Sequence, residues 1–329
     1  MTQISPLDPD AEKLLQLAAQ AGHPPFEALS PTQARLAYAA SWSVTQTSGG
    51  EVASVVDADI ETRAGSLRVR LYRGLGTHPE AALPCLLFLH GGGWVIGNLD
   101  SHDRLCRRLA NQAGICVVAV DYRLAPEHPF PAALDDAAAA LCWLSTHAER
   151  LSIDSARLAV GGDSAGGNLA ATLALMARDG CVPRIVYQAL FYPAVDLTAS
   201  SDSYRRMLSG LPLTAATMHY FIEHYTPNAA DRLHWRASPL RALSLEGVAP
   251  ALLLTVAHDP LCDEGRAYGQ RLSDAGVRLT HMHCNDQMHG LLSQGRMVPA
   301  GDVMSGEIGR ILAHELYRDA KSVFSTTAV

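Results

Sequence analysis

The sequence predicts an α/β fold, a mostly parallel central sheet flanked by helices and covered by a helical cap. Three observations carry this. From Cys85 onward, short apolar runs alternate with stretches of helical spacing, as strands joined by crossover helices do. The run Cys85-Leu86-Leu87-Phe88-Leu89 has no polar position, the pattern of a strand buried on both faces. Residues 9–47 and 196–242 break the alternation, so 1–47 and 196–242 are assigned to the cap, with 48–195 and 243–329 as the two parts of the core.

Bulk properties agree with one large α/β unit plus an appendage. The chain has 329 residues, 48% hydrophobic and 18% charged, ordinary values for a globular protein. A net charge of −7 without any basic cluster argues against a nucleic-acid surface. No apolar run is long enough to span a membrane. Met1-Thr2-Gln3-Ile4-Ser5-Pro6-Leu7-Asp8 shows neither the basic nor the apolar region of a signal peptide. The seven cysteines are scattered, mostly in apolar surroundings and without a CxxC pair, which suggests free thiols in a reducing cytoplasm and no zinc site.

Taken in order, Ala11 to Ala18 has helical spacing and stops at Gly22 and Pro24-Pro25. Ser30-Pro31 offers an N-cap and a first-turn proline to a second helix through Ala34 to Ala40. Ser54 to Glu61 and Ser66 to Arg73 read as strands about an Ala64-Gly65 turn, an antiparallel pair. The buried strand Cys85 to His90 follows, then a helix from Arg104 to Ala113 and a strand from Ile115 to Val120. Asp121 to Pro131 is a proline-punctuated loop whose charged residues read as structural partners. A helix from Ala132 to Ala148 leads to the strand Leu158 to Val160 and the helix beginning at Asn168. Arg184 to Phe191 is the next strand, and Ala215 to Tyr225 is an aromatic-rich helix inside the second cap stretch. The remainder reads as strand Ala251 to Ala257, helix Asp263 to Ala275, strand Val277 to Cys284 and helix Asp302 to Ala320.

Chemistry enters between the strand at Leu158 and its helix. Gly162-Asp163-Ser164-Ala165-Gly166 carries a serine flanked two positions away by glycines, the nucleophile-elbow pattern. A sharp strand-to-helix turn needs neighbours without side chains, and it lifts the serine oxygen to a helix N-terminus. The same pattern also fits an inert tight turn; the absence of a following Gly-Lys-Ser/Thr argues against a phosphate loop. Asp163 has no chemical assignment beyond helping to hold the turn. After the buried strand, His90-Gly91-Gly92-Gly93-Trp94 exposes bare backbone N–H groups able to hold an oxyanion.

A serine hydroxyl needs a base within reach and a group to orient that base, and such groups gather at the carboxyl ends of strands. Behind Ala257 comes His258-Asp259-Pro260, with Asp259 nearest the strand end as orienting acid. Asp263 and Glu264 sit at a helix start, where carboxylates favour the dipole without further purpose. Behind Cys284, His289 lies on a loop next to Gly290, while His281 and His283 alternate within the strand and belong to the sheet. Ser164, Asp259 and His289 thus occur in the chain order of α/β-hydrolase triads.

Together, His90-Gly91-Gly92-Gly93-Trp94, Gly162-Asp163-Ser164-Ala165-Gly166-Gly167, Asp259-Pro260-Leu261 with Asp263-Glu264, and His289-Gly290 resemble the hormone-sensitive-lipase-like (bacterial family IV) esterases; Asp121-Tyr122-Arg123-Leu124-Ala125-Pro126-Glu127 matches a further stretch of that family. The similarity covers about residues 50–315. It implies an α/β-hydrolase fold with a two-part cap and hydrolysis of short- to medium-chain carboxylic esters. Ser164 would be the nucleophile, His289 the base and Asp259 the acid. Backbone N–H groups of Gly91, Gly92 and Ala165 would form the oxyanion hole. No metal or organic cofactor is required, the partner is a small-molecule ester, and a homodimer is compatible with the resemblance. Cys262 stands where the family often has arginine, and Leu291 where phenylalanine is common, which bears on the pocket. Amidase or peptidase action by the same triad, and a non-catalytic ligand-binding module, are the competing readings.

Overall fold

The computed structural model describes residues 5–318. Eight strands form one sheet: β1 (Ser54–Thr62), β2 (Gly65–Arg73), β3 (Leu83–Leu89), β4 (Cys116–Val120), β5 (Ile153–Asp163), β6 (Tyr187–Phe191), β7 (Ala251–His258) and β8 (Leu279–Met288). Their spatial order is β1-β2-β4-β3-β5-β6-β7-β8. β2 runs antiparallel to β1 and to β4, and every other neighbouring pair is parallel.

The sequence patterns map onto position in the sheet. β3 lies near its centre and all seven of its residues are buried, which is why the run has no polar member. Its alternate side chains feed two faces: Cys85, Leu87 and Leu89 join one apolar cluster, Leu86 and Phe88 the other. Out at the edge, β1 and β2 alternate. Asp57 lies opposite Arg70 and Asp59 opposite Arg68, and both pairs form ion pairs, of 2.6 and 3.0 Å. Exposed pairs like these are worth at most about 1 kcal/mol each, but they fix the register.

One face of the sheet is covered by α3 (Leu99–Ala113) and α9 (Pro299–Tyr317), the other by α4 (Ala132–Thr146), α5 (Ala165–Arg178) and α8 (Cys262–Asp274). Beyond the carboxyl ends of the strands lie α1 (Pro9–Ala21), a single turn at Phe26–Ala28, α2 (Pro31–Thr45), α6 (Asp202–Arg206) and α7 (Ala215–Tyr225). Ser30 caps α2 reciprocally with Gln33, and Gly22 ends α1 in the left-handed conformation. Thr217 on α7 donates to Glu27 (2.8 Å), tying the N-terminal segment to the later one. No helix among the described residues is long and apolar enough to cross a membrane.

Boundaries differ from the sequence reading at three informative places. α3 starts at Leu99 rather than Arg104, because Asn98 accepts from Ser101 N (2.9 Å) while Ser101 Oγ accepts from Asn98 N (3.0 Å), a capping box built with serine. α5 starts at Ala165, directly after the serine, rather than at Asn168. β8 continues past Cys284 to Met288: its apolar pattern fades on this edge strand, but pairing with β7 persists. The last two residues of the expected final helix, Asp319 and Ala320, lie outside the described residues.

Candidate active site

The serine turn follows from close packing of backbone on backbone. A Cβ on Gly162 would strike the Leu89 carbonyl and Gly166; one on Gly166 would strike the Leu89 and His90 carbonyls. Ser164 itself has φ 55° and ψ −117°, a left-handed conformation that costs a non-glycine residue about 1–3 kcal/mol. Its own hydrogen bonds hold it there. Its N–H donates to Phe191 O (2.8 Å), and its carbonyl accepts from Asn168 N (3.1 Å) and Ala194 N (3.2 Å). The hydroxyl therefore stands beyond β5, with Ala165 opening α5 beside it.

Strand register brings the other two triad candidates to this point. His258 pairs with Met288 across β7 and β8, beyond a shift in register after Val256. The next residue on each strand is Asp259 on one and His289 on the other. His289 Nδ1 lies 2.7 Å from Asp259 Oδ2 and its Nε2 2.9 Å from Ser164 Oγ. Because a carboxylate only accepts, Nδ1 carries the proton and Nε2 is left to accept from the serine. Asp259 is fully buried, and its other oxygen accepts from Leu261 N (2.8 Å). Behind His289, Tyr192 packs its ring at 4.8 Å between centroids. His281 and His283 stay in the sheet as read, both bonded to Thr255 Oγ1 at 2.8 Å.

The glycine loop departs from expectation at one residue. Leu89 pairs with Gly162, so the loop after β3 runs beside the serine turn. Gly91 N–H donates to Asp163 Oδ1 (2.8 Å) and is thereby removed from the oxyanion site assigned to it. Gly92 and Gly93 instead line the cavity in front of Ser164. Gly93 was passed over in the sequence because its donor position depends on how the loop curls, and Gly92 and Gly93 both take positive φ. Asp163 thus anchors this loop rather than the turn alone.

Asp163 is buried, with His102 Nε2 3.1 Å from the same oxygen and His102 Nδ1 2.8 Å from Ser101 Oγ. Burial pushes the Asp163 carboxyl up, but His102, the Gly91 N–H and His289 outweigh it and hold it below the ordinary aspartate value. His90, stacked on Tyr122 at 4.2 Å, donates from Nδ1 to Gly91 O (2.8 Å), and Tyr122 donates to His90 O (2.6 Å). Burial first, then His102, lowers His90 to about 3, so this ring is neutral. His102 was missed because the sequence reading began α3 two residues after it; the Asn98/Ser101 cap was the available signal.

Glu264 also departs from expectation. It is not a surface carboxylate at a helix start but is buried, and its Oε1 accepts from Val195 N (2.7 Å) and Asp196 N (3.2 Å), clamping the segment after β6 to α8. Burial drives its carboxyl well above the usual range, with Asp196 and Asp259 adding to it against those two N–H groups. Asp263 instead reaches Arg206 (2.9 Å) on α6. Cys262 is buried, its thiol pushed up to about 12 by burial and then by Asp259 and Asp263, and Leu291 is buried in the apolar cluster containing α9. The charged loop residues read as structural partners do pair: Arg123 with Asp136 (2.8 Å) and Glu127 with Arg35 (2.6 Å).

Ser164 and His289 open into a cavity of about 480 Å³. Its floor is the loop and strand ends just described; its walls come from α1, the Phe26 turn, α2, residues 210–213 and α7, and most of them are apolar. A shallow groove lined by Arg35, Asp121, Arg123 and Glu127 shares Tyr38 and Trp42 with this cavity and contains no triad residue.

A family profile for the α/β-hydrolase fold matches residues 86–293, which span the glycine loop, the serine turn and both triad partners. Ethyl acetate hydrolase of Pseudomonas putida is 41% identical over 305 residues, covering 90% of this chain and 95% of that protein. Carboxylesterase NlhH of Mycobacterium tuberculosis is 39% identical over 68% of this chain and 71% of its own length. Among solved structures, an α/β-hydrolase enzyme from the metagenome of Lake Arreo, Spain, superposes with a TM-score of 0.90 at 40% identity, covering 93% of this chain and 98% of that one. The chain belongs to the α/β-hydrolase-fold family, within its hormone-sensitive-lipase-like esterases.

Proposed function

We propose that this protein is a serine carboxylesterase cleaving short- to medium-chain acyl esters under a cap made of residues 1–47 and 196–242. The observation that carries the reading is the unbroken chain of short contacts from Asp259 through His289 to Ser164, opening into an apolar cavity. The named activities of the relatives, ethyl acetate hydrolase and carboxylesterase, support it.

In this reading His289 Nε2 takes the serine proton as Oγ attacks the ester carbonyl. Asp259 keeps the ring in the required tautomer and stabilises the imidazolium. The oxyanion is received by N–H groups of Gly92, Gly93 and Ala165, donors that cost no reorganisation because the loop is already fixed through Gly91 and Asp163. His289 then protonates the leaving alcohol, and water repeats the sequence on the acyl-enzyme. A cavity of about 480 Å³ with mostly apolar walls is of ordinary size for a small-molecule ligand and suits an apolar ester. Free thiols at all seven cysteines fit a reducing compartment such as the cytoplasm. A homodimer belongs to the same reading by family resemblance.

Ser164→Ala should abolish turnover of p-nitrophenyl esters from acetate to laurate while leaving the thermal transition within about 0.5 kcal/mol of wild type. A folded Ser164→Ala protein with normal turnover would overturn the mechanism. Matched amides assayed in parallel should turn over far more slowly than the esters.

A further inference from the structure

The glycine loop that receives the oxyanion is anchored on a negative charge. Asp163 Oδ1 accepts from Gly91 N–H at 2.8 Å, and the carboxylate lies so close against the loop that a Cβ on Gly91 would overlap its Oδ2. Asp163 also lines the cavity together with Gly92, Gly93 and Ser164. An uncompensated carboxylate here would repel the negative charge that builds on the substrate oxygen, and burial removes the water that would screen it. Anchoring and electrostatics pull in opposite directions unless the charge is cancelled.

Two buried imidazoles stand nearby, His90 and His102, with 5.7 Å between their ring centroids. Hydrogen bonding decides between them. Neither Nε2 makes an aligned hydrogen bond among the described residues, but that of His102 lies 3.1 Å from Asp163 Oδ1, an ion-pair contact. Two lone pairs would repel at this distance, so Nε2 of His102 carries hydrogen. Its Nδ1 lies 2.8 Å from Ser101 Oγ. Ser101 Oγ donates its one hydrogen to Asn98 O (2.7 Å) and accepts from Asn98 N (3.0 Å), so towards Nδ1 it offers only a lone pair. Nδ1 of His102 therefore carries hydrogen as well. His90 differs: its Nδ1 donates to Gly91 O (2.8 Å), and no carboxylate touches its Nε2 among the described residues. It is kept neutral first by burial and then by His102.

We propose that His102 is a positioning residue for ester hydrolysis: as an imidazolium between Ser101 and Asp163, it cancels the charge of the carboxylate that anchors the oxyanion loop. This deepens the esterase reading above and rests on it. The couple keeps the anchor on Gly91 while leaving Gly92 and Gly93 free of a competing negative charge.

The test compares wild type, His102→Gln, Asp163→Asn and the double variant. It measures kcat and KM on p-nitrophenyl butyrate and the inhibition constant of phenylboronic acid, whose adduct on Ser164 is a tetrahedral anion. Glutamine keeps an N–H for Asp163 and removes the positive charge. His102→Gln should lower kcat at least about tenfold and weaken the boronate by a similar factor, with KM within about twofold, because a charge beside the oxyanion is felt once the oxyanion forms. Adding Asp163→Asn should raise kcat several-fold over His102→Gln, since the uncompensated charge is gone while an amide oxygen still holds Gly91. A double variant as slow as His102→Gln, or slower, makes His102 a packing residue and overturns the proposal. So does a His102→Gln protein with wild-type kcat. If His102→Gln does not fold, Ser101→Ala removes the acceptor for Nδ1 alone and should lower kcat about threefold or more; an unchanged kcat there overturns the proposal too. A wild type that neither hydrolyses esters nor binds the boronate would instead strike the esterase reading, so the two failures are distinguishable.

Discussion

The floor and the roof of the cavity are built by different physics. On the floor, each reacting group is set by strand register and directed hydrogen bonds: Ser164 by the backbone of Phe191, Ala194 and Asn168, His289 by the Asp259 carboxylate, and the glycine loop by the Asp163 carboxylate. The roof is held mainly by side-chain packing. Trp94 stacks on Tyr225 at 4.4 Å with ring planes 2° apart, Phe26 meets Phe221, and Thr217 to Glu27 joins the two segments. A hydrogen-bonded strand end fixes atoms to within tenths of an ångström and tolerates little change. A packed aromatic layer tolerates exchange of volume and so can tune which substrate fits. On this division floor variants lose the chemical step, whatever they do to stability, and roof variants lose stability or change selectivity with little loss of the chemical step.

The largest effect expected from that contrast is at Asp163. Asp163→Ala removes the acceptor for Gly91 N–H and leaves His102 buried opposite nothing, so the Gly92–Gly93 donors lose their fixed placement. Losing one oxyanion donor costs about 10²–10³ in turnover, and kcat should fall by a comparable factor while KM changes little. Asp163→Asn keeps an oxygen for Gly91 and should recover part of the loss. An alanine variant with wild-type kcat would mean that the loop holds itself, and the floor would not be the hydrogen-bonded unit described. Acid should probe the same group. Asp163 is held below its ordinary value of 3.8, so the stability it contributes is complete above that value and is lost as pH falls through its lower native value. His90 acts in the same direction. It stays neutral in the fold down to about 3 but takes a proton near 6.5 when unfolded, so its share is lost progressively as pH falls from 6.5 towards 3.

The roof offers the reciprocal case. Tyr225 is fully buried, and its hydroxyl has no hydrogen-bond partner among the described residues, so its value lies in the stack on Trp94. Tyr225→Leu should cost about 1–2 kcal/mol of stability, read by denaturant titration, with kcat on p-nitrophenyl acetate within about twofold of wild type. A large drop in kcat with unchanged stability would show that the roof positions the reacting groups as well as the substrate.

The same contrast explains what could be read from sequence. Gly162-x-Ser164-x-Gly166 is legible because the close approach of Leu89 and His90 to the turn admits only glycine, a local demand that leaves a local mark. Asp259 is legible as the residue nearest its strand end and His289 as the loop histidine beside Gly290; that the pairing of β7 and β8 runs on to His258 and Met288, and so sets the two side by side, is not. What stayed hidden depended on pairing across the fold. Gly91 meets Asp163 at a separation of 72 positions, and Glu264 meets Val195 at 69. Nothing near Gly91 distinguishes it from Gly92 until Leu89 is registered against Gly162. The roof is the least legible region: the aromatic spacing of α7 announces a helix with a packed face, but not that Phe221 rests on Gly93.

Glu264 provides the finest test, because its buried carboxyl braces the segment after β6 through two backbone N–H groups without entering the triad. Both backbone donors to its Oε1 would also bond a glutamine oxygen, so Glu264→Gln preserves the clamp on Val195 and Asp196. Burial raises the native carboxyl well above 4.5, whereas in the unfolded chain it ionises near 4.5. As pH rises through 4.5 the unfolded state releases a proton that the native state keeps, so the carboxyl's contribution declines with rising pH until the native group ionises. The glutamine has no such dependence. Thermal unfolding of the two proteins should therefore diverge from pH 4.5 upward, with Glu264→Gln ahead by on the order of 2 °C near neutrality and little difference at pH 4. Esterase activity should be retained, since Asp259 keeps its own bond to Leu261 N. A glutamine variant that melts lower than wild type at every pH would show that the ionised carboxylate is what holds the segment after β6.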